Sequence, residues 1–321
     1  MTVTRTAAVV TRRHRVRWDR VALALAGVVL ALALSPRDLW AWTPGTHIHI
    51  GEAVLRTLAL LPPATAALLR TFPQDFLYGS IAADTSIAKK YAPVGRHCHS
   101  WTVGFEILDQ ARDEPLRAFA LGYLAHLAAD VVAHNFFVPH QLAITSSTAA
   151  IGHSYWESRF ETHLGDAPAR RAREIVLLDH ARADAHLDRI LSPTIFSTPT
   201  NRRLFRGMVY VTDTESWQRL YRIVTDNSRW SLGAPMVSSH LVRSFDYVID
   251  LLSRLDTAEP YRFDPSGDEA LRLAKRLRRQ AMKRGGDTAV REEAGQLFGL
   301  PASALVHAAA LDAPLYPGAT R

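Results

Sequence analysis

An all-α fold is what this 321-residue sequence predicts, on three observations. Long stretches carry apolar residues at helical spacing with good helix formers between them, period-two alternation is scarce, and Pro and Gly fall chiefly in connecting segments. The first element is a leader. Residues 1–20 hold six arginines, and Val21 to Leu34 follow as an unbroken apolar run. A positive stretch before a run shorter than the ~20 apolar residues of a membrane span marks 1–41 as a signal peptide, with an uncleaved N-terminal membrane anchor as the alternative. Its end, Leu39-Trp40-Ala41, places a small residue at the expected cut but none two positions earlier.

Helices are then expected over Ala53 to Leu69, Val103 to Arg112, Leu116 to Asn135, Ser154 to Leu164, Ala167 to Leu191, Ser239 to Leu255, Asp268 to Lys283 and Thr288 to Phe298. The stretch Ala118 to Ala125 is almost wholly apolar, which makes the third of these a buried helix. Only Arg206-Gly-Met-Val-Tyr-Val-Thr212 has strand character. The helices continue toward the end of the chain, and residues 166–321 read as a helical C-terminal part packed on the same domain.

Charge argues against one class of partner. The formal net charge is +7, but residues 1–41 carry seven arginines against two aspartates, so the remainder stands at +2. A nearly neutral chain gives little support to nucleic-acid binding, which calls for basic residues gathered on one face. The local exception is Arg272, Lys275, Arg276, Arg278, Arg279, Lys283 and Arg284, either a solvated helix face or a stripe that meets anionic headgroups at a membrane surface. The one cysteine, Cys98, rules out an intrachain disulfide.

The chemistry lies in the spacing of histidines and carboxylates. His126, Asp130 and His134 repeat at four-residue gaps, as do His153 and Glu157. Residues four apart stack on one helix face, and imidazole with carboxylate is the donor set that zinc prefers. One His-x3-Asp pair is more often a surface hydrogen bond, but nine of the 14 histidines fall between 47 and 163. Asp130, entering an apolar helix, needs a compensating cation or strong hydrogen bonds to stay ionised. Two further clusters add ligands: Trp42-Thr-Pro-Gly-Thr-His47 before a helix from Ile48 onward, and Gly79-Ser-Ile-Ala-Ala-Asp84 leading to His97-Cys-His99-Ser-Trp101.

The order Trp-x4-His, Gly-Ser-Ile-Ala-x-Asp, His-x-His-x-Trp, His-x3-Asp and His-x3-Glu resembles the bacterial zinc-dependent phospholipases C. Their helical fold is shared with the amino-terminal domain of glycosylphosphatidylinositol-specific phospholipase D and with the S1/P1 nucleases. The resemblance covers about residues 42–165 and implies that this span is a metal-binding catalytic core. It implies a multi-helix phospholipase C/P1 nuclease-like domain with additional C-terminal helices and about three zinc ions. Asp84, His97, His126 and Asp130 would hold one ion; His47, Asp130 and the amino and carbonyl groups of Trp42 a second; and His134, His153 and Glu157 a third. The Trp42 amine is free only after cleavage at Ala41, so export and activity are linked. His97 matches the family position, with His99 the alternative ligand.

The implied reaction is phospholipid hydrolysis by attack of metal-activated water, with Asp84 orienting or deprotonating that water. The implied setting is an exported, periplasmic or secreted monomer at a membrane surface, or an anchored one if the leader stays. His134 follows Asp130 by four residues rather than six, and Glu157 stands where the nucleases have aspartate; both features favour lipid over nucleic acid. An S1/P1-like single-strand nuclease, with Trp101, Trp156 or Phe136 stacking bases, is the alternative, as is a metal-holding protein without turnover. Phe136, Phe137 and Val138, in the expected rim Asn135 to Gly152, either meet acyl chains or pack beneath the loop.

Overall fold

Proline opens most of the helices, taking the first-turn positions where a backbone N–H has no intrahelical partner. The computed structural model describes residues 42–86, 96–145 and 149–316, and the expected signal peptide or anchor lies outside them. α1 spans Pro44–Arg56, α2 Pro63–Thr71, α3 Pro73–Ala82, α4 Trp101–Asp109 and α5 Glu114–Val132. A π-turn, Ala133–Phe137, joins α5 to α6, Val138–Thr145, so that one long helical path runs through the molecule. After α7 (Ala149–Thr162) come α8 (Ala167–Val176), α9 (Ala181–Ile190), α10 (Thr198–Thr212), α11 (Glu215–Asp226), α12 (Ala234–Arg254) and α13 (Asp268–Phe298). No strand occurs among the described residues, and all of them belong to one compact unit, Pro36–Arg321.

α5 is the axis of the fold. Asp113 caps it by accepting from Leu116 N–H at 3.1 Å, and every residue from Ala118 to Val132 is buried. α3 crosses it at a glycine pair: a Cβ on Gly79 would lie 2.9 Å from the Phe119 carbonyl carbon, and one on Gly122 2.9 Å from that of Phe76. Only hydrogen at both positions lets the two backbones approach so closely. α12 packs on α5 and α1, while α6 and α13 form a second apolar cluster around Ala143, Leu277 and Phe298.

Several expected boundaries move. The helix expected over Ala53 to Leu69 breaks at Thr57–Pro62, because the residue before a proline is driven into extended backbone; Leu61 has ψ 158°. α1 starts at Pro44, so His47 lies inside its first turn rather than ahead of it. Ala167 to Leu191 is two helices, the first closed by the His180 ring bonding the Ile175 carbonyl at 2.6 Å. The expected strand Arg206 to Thr212 is the second half of α10: Arg202, Phe205 and Val209 are buried at helical spacing, and that packing overrides the local β-propensity of Val-Tyr-Val. α13 bends at Gly285 and Gly286, between the two helices expected there.

Candidate metal centre

Four structural segments bring imidazoles and carboxylates to one buried region. α1 carries His47, a short 3-10 turn after α3 carries Asp84, and α5 carries His126 and Asp130. The loop before α4 brings His99, which is 2% exposed. His126 Nε2 and His99 Nε2 each lie 3.0 Å from Asp130 Oδ2, and His47 Nε2 lies 3.1 Å from Oδ1. Asp84 Oδ1 is 3.4 Å from His99 Nε2 and 3.9 Å from His126 Nε2. The rings of His47 and His126 stack at 3.9 Å.

The third group sits one turn further along. His134 lies in the π-turn, where Val138 N–H reaches back five residues to the Ala133 carbonyl. Such a turn is one residue wider than an α-turn and recurs at functional sites. It faces α7, where His153 Nε2 lies 2.6 Å from Glu157 Oε1. The His134 and His153 rings are 5.2 Å apart. One ligand atom from each of three triplets lies within 4.8 Å of the others: His47, His126 and Asp130; Asp84, His99 and His126; His134, His153 and Glu157.

A metal fits these atoms better than hydrogen bonds do. His47 Nε2 and both Asp130 oxygens are buried and face donors or acceptors at hydrogen-bond distance, yet no hydrogen bond of acceptable angle reaches them among the described residues. Burial, then the neighbouring His126, holds His47 down at about 4, so its ring is neutral at physiological pH. Burial pushes the Asp130 carboxyl up, but the surrounding imidazoles outweigh it and hold it well below the usual range. Neutral imidazole and ionised carboxylate are the states that bind metal.

Tautomers are held from behind. His126 Nδ1 lies 2.9 Å from the Ser80 carbonyl, a contact that the glycine crossing of α3 and α5 makes possible. A carbonyl only accepts, so Nδ1 carries the proton and Nε2 keeps its lone pair. α7 also steadies His47: one turn beyond Glu157, Glu161 accepts from Thr43 Oγ1 and, at 3.2 Å, from Thr46 N–H at the start of α1.

Of the expected ligands, the structure brings together His47, Asp84, His126, Asp130, His134, His153 and Glu157. His97, the preferred candidate in its loop, is grouped with Cys98 and His99 rather than with Asp84, His126 or Asp130. Tyr123 Oη donates to the Cys98 carbonyl at 2.6 Å, and His99 N–H donates to His97 Nδ1 at 3.1 Å, which folds His97 back on the loop and sends His99 inward. Trp42 has its indole buried, with Nε1 donating to the Ala129 carbonyl at 3.1 Å, beside Asp130 in sequence. Phe136, Phe137 and Val138 are buried and form core rather than rim, and Trp156 is core as well.

Residues 46–202 match the family model described as zinc dependent phospholipase C, a span that contains every residue of the three triplets. The chain matches no curated protein and no solved structure. Over residues 46–202, the span that holds these triplets, the chain is similar to the zinc-dependent phospholipase C family.

Proposed function

We propose that the chain is a zinc-dependent phosphodiesterase that hydrolyses phospholipids in the manner of a phospholipase C, at a centre of about three zinc ions. The observation that carries this reading is Asp130, whose two oxygens meet three imidazole nitrogens at 3.0–3.1 Å inside the protein without hydrogen-bond geometry at either oxygen. In such a centre His47, Asp84, His99, His126 and Asp130 would hold two of the ions. His134, His153 and Glu157 serve the third. Bound zinc supplies Lewis-acid polarisation of a phosphoryl oxygen and a water acidic enough to ionise near neutral pH.

The chain's own residues do the rest. His47, His99 and His126 present imidazole nitrogens fixed by packing, which spares the reaction any reorganisation. Asp84, a buried carboxylate beside His99 and His126, orients the attacking water and takes its proton. The backbone amine and carbonyl of Trp42 complete the His47 site once the leader is removed, which makes the active form an exported protein that starts at Trp42 and works as a monomer at a membrane surface.

A nuclease would need exposed aromatics to stack bases, and its candidates are spoken for: Trp156 and Phe136 are buried, and Trp101 donates its Nε1 to the Phe263 carbonyl at 2.8 Å. The test is zinc content by plasma mass spectrometry on the intact exported protein, with the mature N-terminus read by intact mass. Hydrolysis of phosphatidylcholine vesicles is then compared with that of a single-stranded oligonucleotide. About three zinc ions and chelator-sensitive lipid hydrolysis support the proposal. At most one zinc, or cleavage of the oligonucleotide alone, overturns it.

A further inference from the structure

We propose that the turn 264–267, outside the residues matched by the family, is a positioning element for His134 and that the third zinc depends on it. The inference rests on the metal reading above. His134 Nδ1 lies 2.6 Å from the Pro265 carbonyl. As at His126, a carbonyl partner obliges Nδ1 to carry the proton and leaves Nε2 as the ligand atom. His126 takes its carbonyl from Ser80, within the matched residues; His134 takes its own from a segment 131 residues away.

The turn is built for this contact. Gly267 has φ 60°, the left-handed region, and a Cβ there would lie 2.7 Å from the His134 carbonyl carbon and closer still to its Cβ and carbonyl oxygen. Glycine is needed twice, for the backbone conformation and for the approach. Asp264 pins the turn from both sides: its carbonyl accepts from Asn135 Nδ2 at 2.8 Å, and its carboxylate accepts from Ser266 N–H at 3.0 Å. Asn135 Nδ2 also donates to the Val131 carbonyl at 3.0 Å, one turn back toward Asp130. α13 begins at the next residue, Asp268, and packs on α6, so the C-terminal region holds the ring that the π-turn presents.

The test is zinc per chain after dialysis against a competing chelator, with far-UV circular dichroism as the check on folding. Gly267→Ala is expected to keep its helix content and to hold one zinc fewer than the wild type. Gly286→Ala is the control: its φ is 66°, but a Cβ there meets nothing within 4 Å, so it carries the backbone strain without the approach to His134 and keeps full zinc. Asn135→Ala, which loosens the turn without crowding it, is expected to weaken one zinc by roughly 10–100-fold and leave the others unchanged. It decides the matter if Gly267→Ala does not fold. Wild-type zinc content and affinity in both variants overturn the proposal, as does an even loss of every zinc from a folded Gly267→Ala. A wild-type chain that takes up no zinc overturns the metal reading itself and is told apart by that measurement alone.

Discussion

Substituting Gly79 by alanine perturbs the crossing on which the centre is built. A Cβ there stands 2.9 Å from the Phe119 carbonyl carbon and 3.0 Å from Gly122 Cα. The Phe119 carbonyl oxygen is closer still, and carbon atoms in contact sit ~3.5–4.0 Å apart, so α3 and α5 must part by at least about 0.8 Å. His126 Nδ1 and the Ser80 carbonyl, now 2.9 Å apart, would open to about 3.7 Å, past the limit of a hydrogen bond. Two losses follow. Overpacking costs ~1–3 kcal/mol, offset by up to ~1 kcal/mol of helix propensity, for a net loss of roughly 2 kcal/mol. At ~2–4 °C per kcal/mol, the melting temperature of the metal-free protein falls by about 4–8 °C. The freed His126 ring lowers zinc affinity ~10–100-fold. Scanning calorimetry after chelation reads the first effect, and zinc titration against a chromogenic chelator reads the second. Gly207→Ala and Gly295→Ala, helical glycines with nothing within 4 Å of an added Cβ, are neutral or stabilising by comparison. Gly79→Ala with wild-type stability and wild-type zinc affinity would refute the argument that the close crossing positions His126.

Three further outcomes are expected. His99→Ala loses zinc and His97→Ala keeps it, by plasma mass spectrometry; the reverse pattern would restore His97 as the ligand. Asp130→Asn removes the negative charge facing three imidazoles and is expected to lose more than one zinc equivalent, while loss of a single equivalent would argue against a bridging role. His240, outside the centre, is held at about 4 against an ordinary 6.5, first by burial and also by the charges of His140 and Arg243. Below pH 6.5 the unfolded chain binds a proton that the folded one refuses, so stability is lost as pH falls from 6.5 toward 4, by up to ~3 kcal/mol. Urea denaturation of metal-free wild type and His240→Gln at several pH values checks this; identical slopes against pH would sink it.

His126 with Asp130 and His153 with Glu157 were legible because four residues make one helical turn, and the direction of a side chain within an element is a local property. The helical class was legible for the same reason, since periodicity and proline placement act over a few residues. The run Arg206 to Thr212 shows the limit: the same valines that suggest a strand serve a helix once Phe205 and Val209 have a core to enter. Whether His97 or His99 turns inward was settled by the Tyr123 hydroxyl on the Cys98 carbonyl, and the tautomer of His134 by a carbonyl 131 residues downstream. Neither contact leaves a mark in spacing. Composition and periodicity therefore determined the helices and most of the candidate metal-ligating side chains, while tertiary packing decided which loop histidine lies beside them and which nitrogen each presents, because those depend on contacts between segments far apart in the chain.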